Sequence, residues 1–112
     1  KRRLKKDYFC ENPRYHPLLA WVENKVVGFI IFLETYATFD ARPIMYIEDL
    51  FLLEEYRGQG IGKMLFAEAM KLAKEKNYSR VELLAFGDGS RKFYENFGFK
   101  CEEQNHHYRK FI

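Results

Sequence analysis

The stretch Arg57-Gly58-Gln59-Gly60-Ile61-Gly62-Lys63 has the strongest chemical pattern in this chain. Three alternating glycines let a turn bring its backbone N–H groups close to a ligand. An amphipathic run to about Lys76 follows, and its uncapped donors and positive dipole end point at the same spot. That arrangement holds a phosphate or pyrophosphate. The same spacing also suits a bare strand-to-helix turn, and glycines alone leave both readings open. Just upstream, Glu48 and Asp49 interrupt the apolar run from Ile44 to Leu53. Carboxylates inside such a strand are costly unless they are paired or face a wet cavity. Strand alternation sends these two to opposite faces.

These groups need elements to hold them. The chain has 112 residues, the length of one domain, with 47% apolar and 18% aromatic residues. That composition excludes a disordered chain. The net charge is +3, with 19 bases interleaved among 16 acids. The basic run from Lys1 to Lys6 reads as a solvated helix face, so no nucleic-acid partner is expected. No apolar stretch is long enough to span a bilayer and no signal peptide is visible, so the expectation is a cytoplasmic protein with no membrane partner. Cys10 and Cys101 lack metal-ligand spacing and read as thiols in a reducing compartment. His106 and His107 are adjacent and point apart in an extended segment, so no metal is expected.

The periodicity predicts a compact order of elements. Leu4 to Phe9 ends a helix, closed by Glu11-Asn12-Pro13. His16 to Glu23 and Val26 to Thr38 are strands of a hairpin. After Asp40-Ala41-Arg42-Pro43, Ile44 to Leu53 is a third strand buried on both faces. A helix from Gly60 to Lys76 puts Ile61, Leu65, Ala69, Leu72 and Ala73 on one side, and Asn77-Tyr78-Ser79 ends it. Val81 to Phe86 is a fourth strand, parallel to the third as a βαβ unit. Gly87-Asp88-Gly89-Ser90 caps a short helix, Arg91 to Asn96, which Gly98 stops. Phe99 to Glu103 and His107 to Phe111 form a closing hairpin. The predicted class is α+β, a central mixed sheet flanked by helices.

In this order the motifs resemble the GNAT N-acetyltransferase superfamily. Tyr56-Arg57-Gly58-Gln59-Gly60-Ile61-Gly62-Lys63 is similar to the family's (Gln/Arg)-x-x-Gly-x-(Gly/Ala) acetyl-CoA signature. Phe93-Tyr94-Glu95-Asn96-Phe97-Gly98-Phe99 resembles its second hallmark, a Phe-Tyr pair leading to Gly-Phe. Tyr46-Ile47-Glu48-Asp49-Leu50-Phe51 is similar to the diamine (spermidine/spermine) acetyltransferase branch. The resemblance implies acetyl transfer from acetyl-CoA to a primary amine. The acceptor is expected to be a diamine, a polyamine or a lysine-like amino acid. A protein lysine or N-terminal amine is the runner-up, and a non-catalytic acetyl-CoA-binding module is the rival from another class.

Roles follow from the resemblance. Backbone donors of the loop, from Arg57 and Gly58 through Gln59, Gly60, Ile61, Gly62 and Lys63, hold the pyrophosphate. A bulge in the third strand splays it from the fourth and exposes the backbone of Leu50, Phe51 and Leu52 to the pantetheine arm. One N–H there polarises the thioester carbonyl. An alkyl ammonium has a pKa of roughly 10 and must lose a proton before attack. Glu48 aligns with the acid that does this through a water; Asp49 either contacts the same amine or bonds a neighbouring backbone group or base. Tyr94, protonated at neutral pH with a phenol pKa of ~10, gives its proton to the leaving thiolate. Ser90 stands near the place of a cofactor-contacting asparagine, in a loop one residue shorter than in the diamine enzymes. Glu34, Glu54, Tyr36, Phe39 and Tyr46 are further candidates for an acceptor channel. A full domain of this kind begins with a strand and one or two helices, of which only the tail of the second is expected here. An uncovered sheet edge and the resemblance both favour a homodimer.

Overall fold

The computed structural model describes residues 14–85, 88–102 and 108–112. Within them the chain runs β1 (His16–Val22), β2 (Lys25–Ala37), β3 (Arg42–Leu52), a 3-10 turn (Glu54–Tyr56), α1 (Ile61–Glu75), β4 (Val81–Leu83) and α2 (Asp88–Glu95). The strands form one sheet in the order β1-β2-β3-β4. β1–β2 and β2–β3 are antiparallel, and β3–β4 is parallel across the α1 crossover. The architecture is α+β with a mixed sheet, as the sequence predicts.

Each element has a local cause. The β1–β2 hairpin turns at Glu23 and Asn24, with φ of 48° and 66°; positive φ at both central residues matches the right-handed twist of the flanking strands. α1 buries Leu65, Phe66, Ala69 and Ala73, a stripe at helical spacing. Its end is a Schellman turn. Asn77 adopts φ 56°, its N–H donates to the Lys74 carbonyl, and the Tyr78 N–H donates to the Ala73 carbonyl. Tyr78 and Ala73 then meet in the core, the apolar contact that accompanies this motif. That core lies on one sheet face. Ile30 and Phe32 of β2 and Met45 and Ile47 of β3 pack against the buried stripe of α1, and Phe66 is fully buried at its centre. Burial of such a side chain stabilises by roughly 1.5–3 kcal/mol.

Polar contacts latch the end of the sheet remote from the glycine loop. The Tyr78 hydroxyl donates to Glu34 Oε2 at 2.6 Å, and burial together with that carboxylate drives the phenol pKa well up. Ser79 Oγ donates to Asp40, and Arg42 Nη1 donates to Asn77 Oδ1 at 3.3 Å.

Several boundaries differ from the sequence reading. β4 ends at Leu83 rather than Phe86, because β3 bends away and leaves β4 no partner beyond Ile47. α2 begins at Asp88, three residues before the expected Arg91. Residues 99–102 and 108–112 have no regular secondary structure, so their share of the closing hairpin is not strand. The helix tail from Leu4 to Phe9, the Glu11-Asn12-Pro13 turn, the basic run, Cys10, Phe86, Gly87, Glu103, His106 and His107 lie outside the described residues. No helix among the described residues is long and apolar enough to cross a membrane.

Candidate active site

The site begins at an irregularity in β3. Along the β2–β3 ladder Phe32 faces Ile47, yet the next residue, Ile31, faces Asp49. Glu48 is therefore the extra residue of a β-bulge, the feature that the resemblance implies in this strand. Two consequences follow. First, alternation is broken. Ile47 points into the core, while Glu48 and Asp49 are both exposed on the other side instead of dividing between faces. Second, the pairing with β4 stops. Met45, Tyr46 and Ile47 pair with Val81, Glu82 and Leu83, and from Glu48 onward β3 pairs only with β2. The split opens a cleft of about 210 Å³ lined by Glu48, Asp49, Leu50, Leu84, Ser90 and Tyr94, among others.

Thus Glu48, Asp49, Leu50, Ser90 and Tyr94, which are far apart in sequence, meet at one opening. Phe51 and Leu52 continue the unpaired edge of β3 beyond it. Tyr94 reaches the cleft from α2, its ring held against Phe66 at 5.5 Å, Phe93 at 5.3 Å and Phe99 at 6.2 Å between centroids. A second Schellman turn fixes the backbone beneath it. Gly98 has φ 89°, its N–H donates to the Glu95 carbonyl, and the Phe99 N–H donates to the Tyr94 carbonyl at 3.2 Å. Burial, and then the negative charge of Asp49, raise the Tyr94 phenol above its ordinary pKa of 10.0, so it holds its proton at neutral pH.

The glycine loop stands at the far end of the same strand edge. Gly58 and Gly60 take φ of 77° and 85°, a left-handed conformation that favours glycine. A Cβ at Gly58, Gly60 or Gly62 would meet nothing within 4 Å, so the loop presents open backbone. Gly60 is the N-cap of α1 and no side chain caps the helix. The first helical bond runs from the Met64 N–H to the Gly60 carbonyl, which leaves the N–H groups of Ile61, Gly62 and Lys63 ahead of the ladder. No acidic side chain occupies the first turn. These donors and the dipole suit an anion such as a pyrophosphate. Side chains brace the loop from behind. Arg57 Nε donates to the Leu52 carbonyl at 2.9 Å and its guanidinium lies over the Phe51 ring, while Gln59 Nε2 donates to the Glu55 carbonyl at 3.0 Å.

Not every candidate joins the site. Glu34 is committed to Tyr78 at the latched end of the sheet, and Tyr36 and Phe39 are exposed beyond it. Glu54 lies in the 3-10 turn. Tyr46 does not line the cleft; it stands on β3 across from Glu82, and burial and the nearby Glu48 charge raise its phenol. Sequence reasoning missed Leu84 as cleft lining and Phe66 as the ring against which Tyr94 rests. The only signal for Phe66 is its place between Leu65 and Ala69 on the buried stripe of α1.

The chain is similar to several known acetyltransferases. Over 88 residues the chain is 35% identical to a thialysine N-epsilon-acetyltransferase of Bos taurus, covering 71% of this chain and 51% of that one. Over 98 residues it is 36% identical to an L-ornithine N5-acetyltransferase of Arabidopsis thaliana, covering 84% of this chain and 43% of that one. It spans about half the length of these curated relatives. Among solved structures, an aminoglycoside acetyltransferase from an uncultured soil metagenomic sample superimposes with a TM-score of 0.84 at 26% identity, covering 100% of this chain and 74% of that one. The family model described as the acetyltransferase (GNAT) family matches residues 1–99. With that match over most of the chain, and with the 36% identity to the ornithine enzyme, the chain belongs to the GNAT family of acetyltransferases.

Proposed function

We propose that this chain forms the donor site and catalytic centre of an N-acetyltransferase that moves the acetyl group of acetyl-CoA to a primary amine of a small molecule. The observation that carries the reading is the cleft where β3 and β4 part, which gathers a carboxylate pair and a half-buried phenol beside an open strand edge. Acetyl-CoA supplies an activated thioester and a good leaving group. The residues of the chain do the rest. Backbone N–H groups from Gly58 to Lys63 bind the pyrophosphate, and the open edge of Leu50, Phe51 and Leu52 aligns the arm that follows. A backbone N–H on that edge stabilises the negative charge that grows on the carbonyl oxygen. Glu48 accepts the ammonium proton through a water, which frees the nitrogen lone pair for attack. As the C–N bond forms and the C–S bond breaks, Tyr94 donates its proton to the departing sulfur, and the second proton shed by the acylated nitrogen passes through water to restore the phenol.

The acceptor class follows the same logic. The Tyr46 to Phe51 tract resembles the diamine branch, whereas the named relatives above act on thialysine and ornithine. The common element is an aliphatic chain ending in a primary amine, so the acceptor is a diamine, a polyamine or a lysine-like amino acid. We read the chain as one catalytic unit, working in the cytoplasm as a homodimer, in line with the resemblance.

The test is release of the coenzyme A thiol against a panel of diamines, polyamines, amino acids and lysine-containing peptides. Release with small amines is the expected result. Release with peptides alone would move the function to protein acetylation. Tight coenzyme A binding without release for any acceptor would make the chain a non-catalytic module.

A further inference from the structure

Beside the reacting centre lies a second set of charges on the same sheet face. The bulge puts Glu48 and Asp49 on the face that Tyr46 shares, opposite the α1 side. In the parallel β3–β4 pair Tyr46 stands directly across from Glu82. Arg80 immediately precedes β4, and its Nε lies 2.6 Å from Glu82 Oε2. Both side chains remain about half exposed, at 51% and 47%. On its other side the Arg80 guanidinium approaches Asp40 at 3.9 Å. Arg109 also acts as a positive charge on the Tyr46 phenol.

The donor, on the reading above, occupies β3 from Leu50 toward the glycine loop. The acceptor must then extend from Glu48 in the other direction, over Tyr46 toward Glu82 and Arg80. The span is roughly 7 Å along the strand and about 5 Å across to β4, a distance suited to an extended lysine-like side chain. A lysine or ornithine molecule carries an α-ammonium and an α-carboxylate at its far end. A diamine of equal length carries an ammonium there and no carboxylate.

The geometry points to a head-group subsite in which Glu82 takes the α-ammonium and Arg80 takes the α-carboxylate of an amino-acid acceptor, with Tyr46 as the floor between them and Glu48. This rests on the acetyl-transfer reading and narrows it to an α-amino acid with a terminal amine. An exposed ion pair of this kind adds little to stability. A zwitterion can exchange partners with it and leave every charge matched, whereas a diamine would bring a cation up to Arg80. The pair therefore selects by repulsion as well as by attraction.

Ornithine against putrescine, and lysine against cadaverine, isolate the carboxylate. The expected result is a higher kcat/KM for each amino acid than for its diamine in the wild-type chain. Arg80→Gln should lower kcat/KM for ornithine and lysine by about ten-fold or more, the loss of one charge-assisted hydrogen bond, while kcat/KM for the diamines rises as the repulsion is removed. Glu82→Gln should weaken both classes together. Arg80→Lys should restore part of the preference, and an unchanged urea midpoint would show that the variants fold. Calorimetric titration of ornithine and putrescine into the protein saturated with coenzyme A reads the same selectivity without turnover. If binding selectivity is present and lost in Arg80→Gln but no thiol is released, acetyl transfer falls and the subsite stands. An ornithine-to-putrescine ratio that Arg80→Gln leaves unchanged, in binding and in turnover, overturns the subsite, as does failure of ornithine to bind or react.

Discussion

Gly28 is the position where a single added carbon should do most harm. It lies buried in β2 opposite Leu52, the last residue of β3. A Cβ there would come within 2.7 Å of Leu52 Cδ1 and 2.8 Å of the Phe51 carbonyl oxygen. The leucine methyl can rotate away, but the carbonyl belongs to a ladder in which Phe29 stacks on Phe51 with centroids 5.6 Å apart. Relief therefore requires β2 and β3 to separate at this end. Overpacking of this kind costs about 1–3 kcal/mol, and the lower chain entropy of unfolded alanine returns about 0.4–1 kcal/mol. The net expectation for Gly28→Ala is a loss of about 1–2 kcal/mol. With a urea m value of about 1–3 kcal/mol/M for a domain of this size, the unfolding midpoint followed by far-UV circular dichroism should fall by roughly 0.3–2 M with m unchanged. The same shift moves the Leu52 carbonyl that anchors Arg57, so the KM for acetyl-CoA should rise as well. A midpoint at or above that of the wild-type chain would refute the argument, since it would mean that the strand edge yields freely.

Tyr94→Phe should lower kcat by at least ~100-fold, the usual weight of a proton donor, with KM for acetyl-CoA nearly unchanged; wild-type turnover would remove Tyr94 from the chemistry. Because burial and Asp49 raise the Tyr94 pKa, the protonated acid persists as pH rises, and the alkaline limb of kcat should lie above the ordinary 10.0. Asp49→Asn should bring that limb down, and a wild-type limb below 10.0 would contradict the assignment. Gly98→Ala meets no steric neighbour yet imposes a left-handed φ on alanine, at about 1–2 kcal/mol. Through the Tyr94 backbone it should depress kcat more than KM, and an equal effect on both would argue against a positioning role. Tyr78→Phe removes the bond to Glu34 and should cost about 1–2 kcal/mol of stability in urea unfolding without changing kcat, because that pair lies at the latched end of the sheet.

Local signals were legible where one residue dictates one backbone state. Asn77 and Gly98 mark their helix ends because each supplies the left-handed residue of a Schellman turn. Gly58 and Gly60 announce the loop for the same reason. The apolar stripe of α1 and the βαβ order were readable from periodicity, and they imply the parallel β3–β4 pair. Less legible was anything that depends on a partner strand. The end of β4 at Leu83 is set by where β3 departs, and no residue of β4 carries that information. Glu34 looked like an acid available to a cationic substrate, and only the fold brings the Tyr78 hydroxyl to it.

The bulge at Glu48 shows why the candidate site could be named from the sequence but not placed by strand phase. Alternation treats Glu48 and Asp49 as neighbours on opposite faces, so a site that uses both looks impossible. One extra residue against Ile31 and Phe32 removes the conflict. The same residue ends the β3–β4 ladder and exposes the backbone of Leu50, Phe51 and Leu52, so acid placement and the open strand edge share one cause. The carboxylates thereby escape the apolar core that would otherwise penalise them. A variant that restores regular pairing there would bury an acid and close the cleft together. Phase failed where the phase of β3 is itself broken, and the same residue marks the end of the β3–β4 ladder.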